Sequence, residues 1–258
     1  MSDKKALSRD RFNQFAEGYV NSPTHAKGDD LTTLVDLAQP QPDWHVLDIA
    51  TGGGHTARTF APFVADVVAS DIAENMLAAA KSHILEQGIT NVSFEEADAE
   101  KLPFEANQFD LVTCRIAPHH FPKAGQFVKE AARVLKPGGL LLIEDQVVPD
   151  DVESAQFIND FETLRDPSHY RVYTQAEWQT MYEEAGLTVT HTETLAKRKA
   201  FYPWCQTQDT TPEIVQQLET KLETGPAGAR EWYQPQDFGE DQMTIQHRYI
   251  IIAGRKPA

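Results

Sequence analysis

The sequence predicts an α/β fold: a mostly parallel sheet with helices on both faces. Three observations carry the prediction. Short apolar, β-branched runs alternate with helical periodicity from Trp44 onward, the rhythm of βαβ units. The run Trp44 to Ala50 passes directly into the turn Thr51-Gly-Gly-Gly54 and then a helical pattern, a strand–turn–helix join. The chain's 258 residues, 41% hydrophobic and 24% charged, are enough for a large core of ordinary globular composition.

Taken in order, the first forty residues read as helical. Strands are predicted over 44–50, 66–70, 92–95, 109–115 and 140–147. Helices fall between them over 56–64, 73–87 and 123–135. Gly88 stops the second of these helices, and Lys136-Pro-Gly-Gly139 closes the third. After Pro149 the rhythm changes. Residues 150–164 look helical, and Thr174-Gln-Ala-Glu177 is a capping-box signature that opens a helix ending at Gly186. Residues 187–195 and 243–254 read as the last two strands. The stretch 196–238 reads as irregular, aromatic and Pro-containing, with one helix over 212–223. One unit spanning 1–258 is expected: an N-terminal helical segment 1–43, a core 44–147, and a C-terminal part 148–258. Insertions near 150–175 and 196–240 of that last part are candidates for a helical cap.

Charge and composition narrow the function. The net charge of −16 repels nucleic-acid phosphates and anionic membrane surfaces. The one basic run, Lys197-Arg198-Lys199, is short and reads as a solvated strand end. No stretch approaches the roughly 20 apolar residues that cross a bilayer, and residues 1–11 contain no signal-peptide core. Cys114 and Cys205 make no disulfide framework. A cytoplasmic location is expected, with a small molecule as partner, at most a second copy of the chain beside it, and neither nucleic acid nor membrane.

The turn after the first strand admits two readings. Gly52-x-Gly54-x-x-Ala57 satisfies the dinucleotide pattern GxGxxG/A, and Asp71 at the end of the second strand suits a ribose hydroxyl in either case. Asp48, placed before the glycines, discriminates. A pyrophosphate gains nothing from a carboxylate there, whereas an α-amino group and a sulfonium do. Asp98, after the third strand, can accept a hydrogen bond from an adenine amine. Each Asp alone is equally well a turn or N-cap residue; three at successive strand ends make a pattern.

Several motifs resemble a known family: 46–57, Asp71-Ile-Ala-Glu-Asn-Met-Leu77, 97–104, Phe109 to Arg115, His119-His120-Phe121 and Arg133-Val-Leu-Lys-Pro-Gly-Gly139, in unbroken order. The chain resembles the class I S-adenosylmethionine-dependent methyltransferases, in the branch of the ubiquinone/menaquinone-biosynthesis C-methyltransferases. Phe15-Ala-Glu-Gly-Tyr19 fits more loosely. The resemblance implies a Rossmann-like seven-stranded sheet of order 3-2-1-4-5-7-6, its last strand antiparallel, and S-adenosylmethionine as cofactor. It implies that Asp48, Gly52, Gly53 and Gly54 line the methionine end, and that Asp71, followed by Ile72, takes the ribose. Met76 would lie against the adenine, Asp98 and Ala99 would contact the adenine edge, Cys114 and Arg115 would sit near the methyl donor, and Tyr19 would close over the site. The stretch Ile116-Ala-Pro-His-His-Phe121 departs from the quinone enzymes, which carry charged or amide groups there.

Methyl transfer from a sulfonium needs alignment and exclusion of water more than acid–base chemistry. A general base enters only when the acceptor loses a proton. His119 and His120 are the candidates, and adjacent residues of an extended chain do not both face one site. Arg165 and His169 are further candidates in the first insertion, and Phe201-Tyr-Pro-Trp204 a candidate pocket wall. No metal is expected, because no HExxH motif or Cys/His cluster is present. An NAD(P)-dependent oxidoreductase, or a protein that binds the sulfonium cofactor without catalysis, are the alternatives.

Overall fold

The computed structural model describes residues 3–20 and 29–258, the side chains of residues 3, 17–20 and 29 aside. Helices α1 (Asp3–Val20) and α2 (Asp29–Ala38) precede strand β1 (His45–Ile49). Then follow α3 (His55–Phe60), β2 (Asp66–Asp71), α4 (Glu74–Glu86), β3 (Val92–Glu96), β4 (Phe109–Arg115), α5 (Ala124–Val134) and β5 (Leu135–Gln146). The seven strands order as 3-2-1-4-5-7-6. Strands 1 to 5 pair in parallel, and β7 (Thr244–Arg255) runs antiparallel between β5 and β6 (Thr188–Ala200). The expected sheet is therefore the observed one.

Alternation along the strands builds two cores, one on each face. Leu47, Ile49, Val112, Ile143 and Ile252 point to one side, where Phe127 and Val128 of α5 and Trp178 and Tyr182 of α7 (Gln175–Glu184) cover them. Val46, Val67, Leu111, Leu142 and Ile251 point to the other, against Leu34 of α2, Phe60 of α3 and Ile84 of α4. Helix α7 opens with the expected capping box: Glu177 N–H donates to Thr174 Oγ1, and Thr174 N–H to Glu177 Oε2.

Three elements differ from the sequence-based expectation. Strand β6 runs five residues beyond Leu195, because Ala196 to Ala200 pair with Arg248 to Thr244. The resulting hairpin projects past the end of β5. Strand β5 begins at Leu135, whose pairing with Phe109 precedes a register shift, so the Pro-Gly-Gly segment bulges within a strand rather than ending one. The stretch 196–238 holds three helices, α8 (Phe201–Gln206), α9 (Pro212–Thr224) and α10 (Ala227–Tyr233). With α6 (Val152–Arg165) they form a third core on the projecting hairpin, around Phe161, Phe201, Trp204, Leu218, Tyr233 and Ile245. This cap stands over the carboxyl ends of the strands, where doubly wound sheets bind ligands.

Candidate active site

A cleft of about 940 Å³, its open mouth included, lies at the carboxyl ends of β1, β2 and β4. Its wall is formed by Ala50 to Gly53, His55, Thr56, Asp71, Ile72, Met76, Ala97 to Glu100, and Arg115 to Ala117. His120, Phe121 and Pro122 continue it toward the cap. Helix α1 roofs it with Lys5, Ser8 and Phe12. The volume is that of a site for one cofactor-sized ligand.

The glycine turn is built from both sides. Gly52 and Gly54 hold φ of +55° and +80°, a region that L side chains occupy at a cost of about 1–2 kcal/mol. A Cβ on Gly54 would come within 2.8 Å of Ile84 Cδ1, so α3 and α4 pack through that hydrogen. A Cβ on Gly52 would meet nothing within 4 Å, because it points at the cleft. Two non-glycine residues that follow strands and line the cleft, Ala50 and Ile116, are also left-handed, at φ 51° and 54°.

Asp71 caps β2 at the cleft floor. Its Oδ2 accepts from Gly52 N–H (3.1 Å) and its Oδ1 from Ala73 N–H (3.0 Å). Burial raises its pKa to about 6, against the pull of those donors. Ile72 and Met76 are apolar neighbours on the same wall, and Asp98 and Ala99 lie at its far end. The Gly52 amide that a pyrophosphate would need is already taken by a carboxylate, so the cleft suits an adenosyl group carrying an amino acid better than a dinucleotide.

Other expected residues lie elsewhere. Asp48 is 1% exposed beneath the turn and does not line the cleft. It accepts from Thr51 Oγ1 (2.6 Å) and Thr113 Oγ1 (2.8 Å), tying β1 to the turn and to β4. Burial raises its pKa to about 6. Cys114 alternates with Arg115 along β4 and so points into the sheet core, fully buried. Gly54 packs on α4, outside the lining. The Tyr19 side chain lies outside the described residues. His119 is buried behind His120 and is absent from the wall. Arg165 stacks on Trp204 at 4.3 Å inside the cap, where Phe201 and Trp204 are core residues rather than a pocket wall. His169 is buried and bonds Asn159 Oδ1 (3.2 Å).

Two groups have no clear mark in the sequence. Arg115, at the cleft wall, bonds Asp30 Oδ2 (2.7 Å) of α2. Lys197 bonds the same oxygen at 3.0 Å and Glu144 Oε1 at 2.6 Å. The presumed solvated strand end thus anchors a buried network. Burial raises Glu144 to about 7. Asp30 is brought to about 2, because the Glu144 contact and the two cations outweigh its own burial. The second group is helix α1, whose Lys5 bonds Asp98 and Glu100 and whose Asn13 Oδ1 accepts from Asn75 N–H.

Comparison with known proteins agrees with this geometry. A family model described as a methyltransferase domain matches residues 47–143. The uncharacterised methyltransferase YcgJ of Bacillus subtilis is 35% identical over 222 residues, covering 86% of this chain and 88% of that protein. Its crystal structure superposes with a TM-score of 0.85 at 33% identity, covering 88% of this chain and 98% of that one. The ubiquinone/menaquinone biosynthesis C-methyltransferase UbiE of Ectopseudomonas mendocina is 41% identical over 113 residues, 42% of this chain and 44% of that protein. The chain belongs to the class I S-adenosylmethionine-dependent methyltransferases.

Proposed function

We propose that the chain methylates a small-molecule acceptor in the cytoplasm. The observation that carries this reading is the roofed cleft, lined by the carboxylates Asp71 and Asp98 together with apolar and imidazole side chains. S-adenosylmethionine, when bound, supplies a methyl group on a cationic sulfur that needs no further activation. Asp71 holds the ribose, Asp98 and Ala99 the adenine edge, and Ile72 and Met76 its face. The Gly52–Gly53 backbone and Arg115 meet the methionine end. Asp48 acts as a positioning residue that keeps the Thr51 turn in shape. His120 and the walls Ile116, Phe12 and Phe121 face the acceptor, and α1 and the cap exclude water, which strengthens every polar contact inside. The net charge of −16 disfavours nucleic acid.

The test is transfer of isotope-labelled methyl from S-adenosylmethionine into a fractionated cell extract. Label is expected in the low-molecular-weight fraction. Label confined to protein or nucleic acid contradicts the reading.

A further inference from the structure

The wall of the cleft beside Phe12 carries a cluster of three histidines. His120 lines the cleft, its ring 4.2 Å from His119 and 4.9 Å from Phe12, the latter edge-on. His169 completes the group at 5.6 Å from His119 and 6.4 Å from His120. Among the described residues, no three His, Cys, Asp or Glu side chains are arranged to hold a metal.

Hydrogen bonding fixes where the hydrogens sit. His120 Nδ1 is 3.1 Å from the Ser168 carbonyl oxygen, which can only accept, and the Ser168 hydroxyl 3.4 Å away gives its hydrogen to Asp166 Oδ1 (2.6 Å), so Nδ1 carries the hydrogen. Nε2 then carries the lone pair, and among the described residues nothing bonds to it. His119 Nδ1 lies 2.6 Å from Asp145 Oδ1, a buried imidazole–carboxylate pair at the end of β5. The other Asp145 oxygen is buried and has no hydrogen-bond partner among the described residues. We propose that His120 Nε2 accepts a hydrogen bond from the methyl acceptor, and that Asp145, acting through His119, is the positioning residue that keeps His120 neutral. The acceptor class is then an uncharged, apolar-bodied molecule with a hydroxyl or N–H group at the methylated end, such as a phenol. The inference rests on the methyl-transfer reading and adds the acceptor class to it.

Electrostatics agree with the geometry. Burial opposes a charge on His119, yet Asp145 beside it, with Asp166 and Glu162 further off, raises its pKa overall. Burial and the His119 charge bring His120 down to about 4, against Asp166, the Ser168 carbonyl and Asp145. Burial and the two other imidazoles bring His169 to about 3. Asp145 therefore favours positive charge on His119 over the two imidazoles beside it. The wall around His120 includes Ile116, Phe121, Pro122 and Phe12.

Nitrogen-15 NMR of the full chain, labelled at histidine and saturated with S-adenosylhomocysteine, tests this without knowledge of the natural acceptor. His120 should show a hydrogen-free Nε2 from pH 5 to 8, and phenol should move that resonance upfield while toluene leaves it in place. Asp145→Asn should lower the His119 midpoint and raise that of His120, and Asp145→Glu should restore both. A protonated Nε2, equal responses to phenol and toluene, or midpoints unmoved by Asp145→Asn would overturn the proposal. Failure of S-adenosylhomocysteine to bind, read in the same sample, strikes the methyl-transfer reading instead.

Discussion

Lys5 Nζ lies 2.8 Å from each carboxylate oxygen of Asp98 and 2.6 Å from Glu100 Oε2. Helix α1 is thereby pinned across the Asp98 end of the cleft. Farther along the same helix, Ser8 Oγ donates to the Ser168 carbonyl at 3.3 Å and Arg11 Nη2 to Gln208 Oε1 at 2.8 Å, both in the cap. A cofactor entering the cleft must pass this roof. Asp98 keeps free lone pairs while paired, so in the proposed binding mode Lys5 clamps the adenine contact and does not compete with it.

Lys5→Met should therefore speed cofactor dissociation. The pair is part-exposed, and such pairs contribute up to about 1 kcal/mol, or roughly fivefold in rate. Stopped-flow displacement of S-adenosylhomocysteine should show a rise of that size, and raised salt should give the same rise in the wild type but not in the variant.

The two outer glycines of the turn should separate stability from binding. Gly54→Ala drives a Cβ to 2.8 Å from Ile84 Cδ1 and 3.2 Å from Ala80 Cβ, at a backbone φ of +80°. Strain and overpacking together should cost about 2–4 kcal/mol of stability, read by urea unfolding. Gly52→Ala meets no atom within 4 Å. It should lose only about 1–2 kcal/mol to its φ of +55° and yet abolish measurable cofactor binding, because its methyl enters the cleft.

Cofactor affinity should depend on pH through Asp71. Burial places the pKa of its carboxyl at about 6 in the free protein, above the ordinary value of 3.8. A ribose needs the ionised acceptor, so affinity should be full above pH 7 and weaken toward tenfold per unit below about pH 6. The stability contribution has the opposite sense: a raised pKa adds stability in the acid range that is lost as pH rises through 6. The wild type should thus gain on Asp71→Asn in melting temperature between pH 7 and pH 5 while losing affinity over the same window.

The cap should prove sensitive to its buried imidazole–carboxylate contact. His247 Nε2 and Tyr233 OH both lie 3.1 Å from Glu162 Oε1, all three side chains buried. Burial brings His247 down to about 4, so at neutral pH it meets Glu162 as an uncharged donor. His247→Leu leaves the Glu162 carboxylate one donor short and should destabilise the chain by about 1–3 kcal/mol. Double substitution with Glu162→Leu should recover part of that loss, as calorimetric melting would show.

What could be read from the sequence follows from the range of the interactions involved. The alternation of strands and helices and the Asp71 wall are legible in local signals: periodicity, a glycine turn, and acidic residues at strand ends; the strand order follows from the family resemblance. The family resemblance puts both Cys114 and Arg115 at the cleft, but alternation in β4 sends adjacent side chains to opposite faces, so Cys114 is in the core. The same one-residue difference separates the wall residue His120 from the buried His119. Lys197 read as solvated because its partners, Asp30 and Glu144, lie 167 and 53 positions away. Helices α8 and α10 were missed at six and seven residues each, lengths at which packing on Phe161 and Ile245, rather than propensity, decides. Lys5 carries no motif, and its place over Asp98 depends on how α1 docks.

The central claim is that acidic side chains at the carboxyl ends of neighbouring strands grip an adenosyl amino acid. Isothermal titration with S-adenosylhomocysteine and, separately, with NADH tests it most directly. One site should fill with S-adenosylhomocysteine in the wild type and weaken about 10–100-fold in Asp71→Asn, as loss of a charge-assisted pair of hydrogen bonds implies, while NADH gives no heat. Binding of NADH alone, or an affinity for S-adenosylhomocysteine that Asp71→Asn leaves unchanged, would contradict the account.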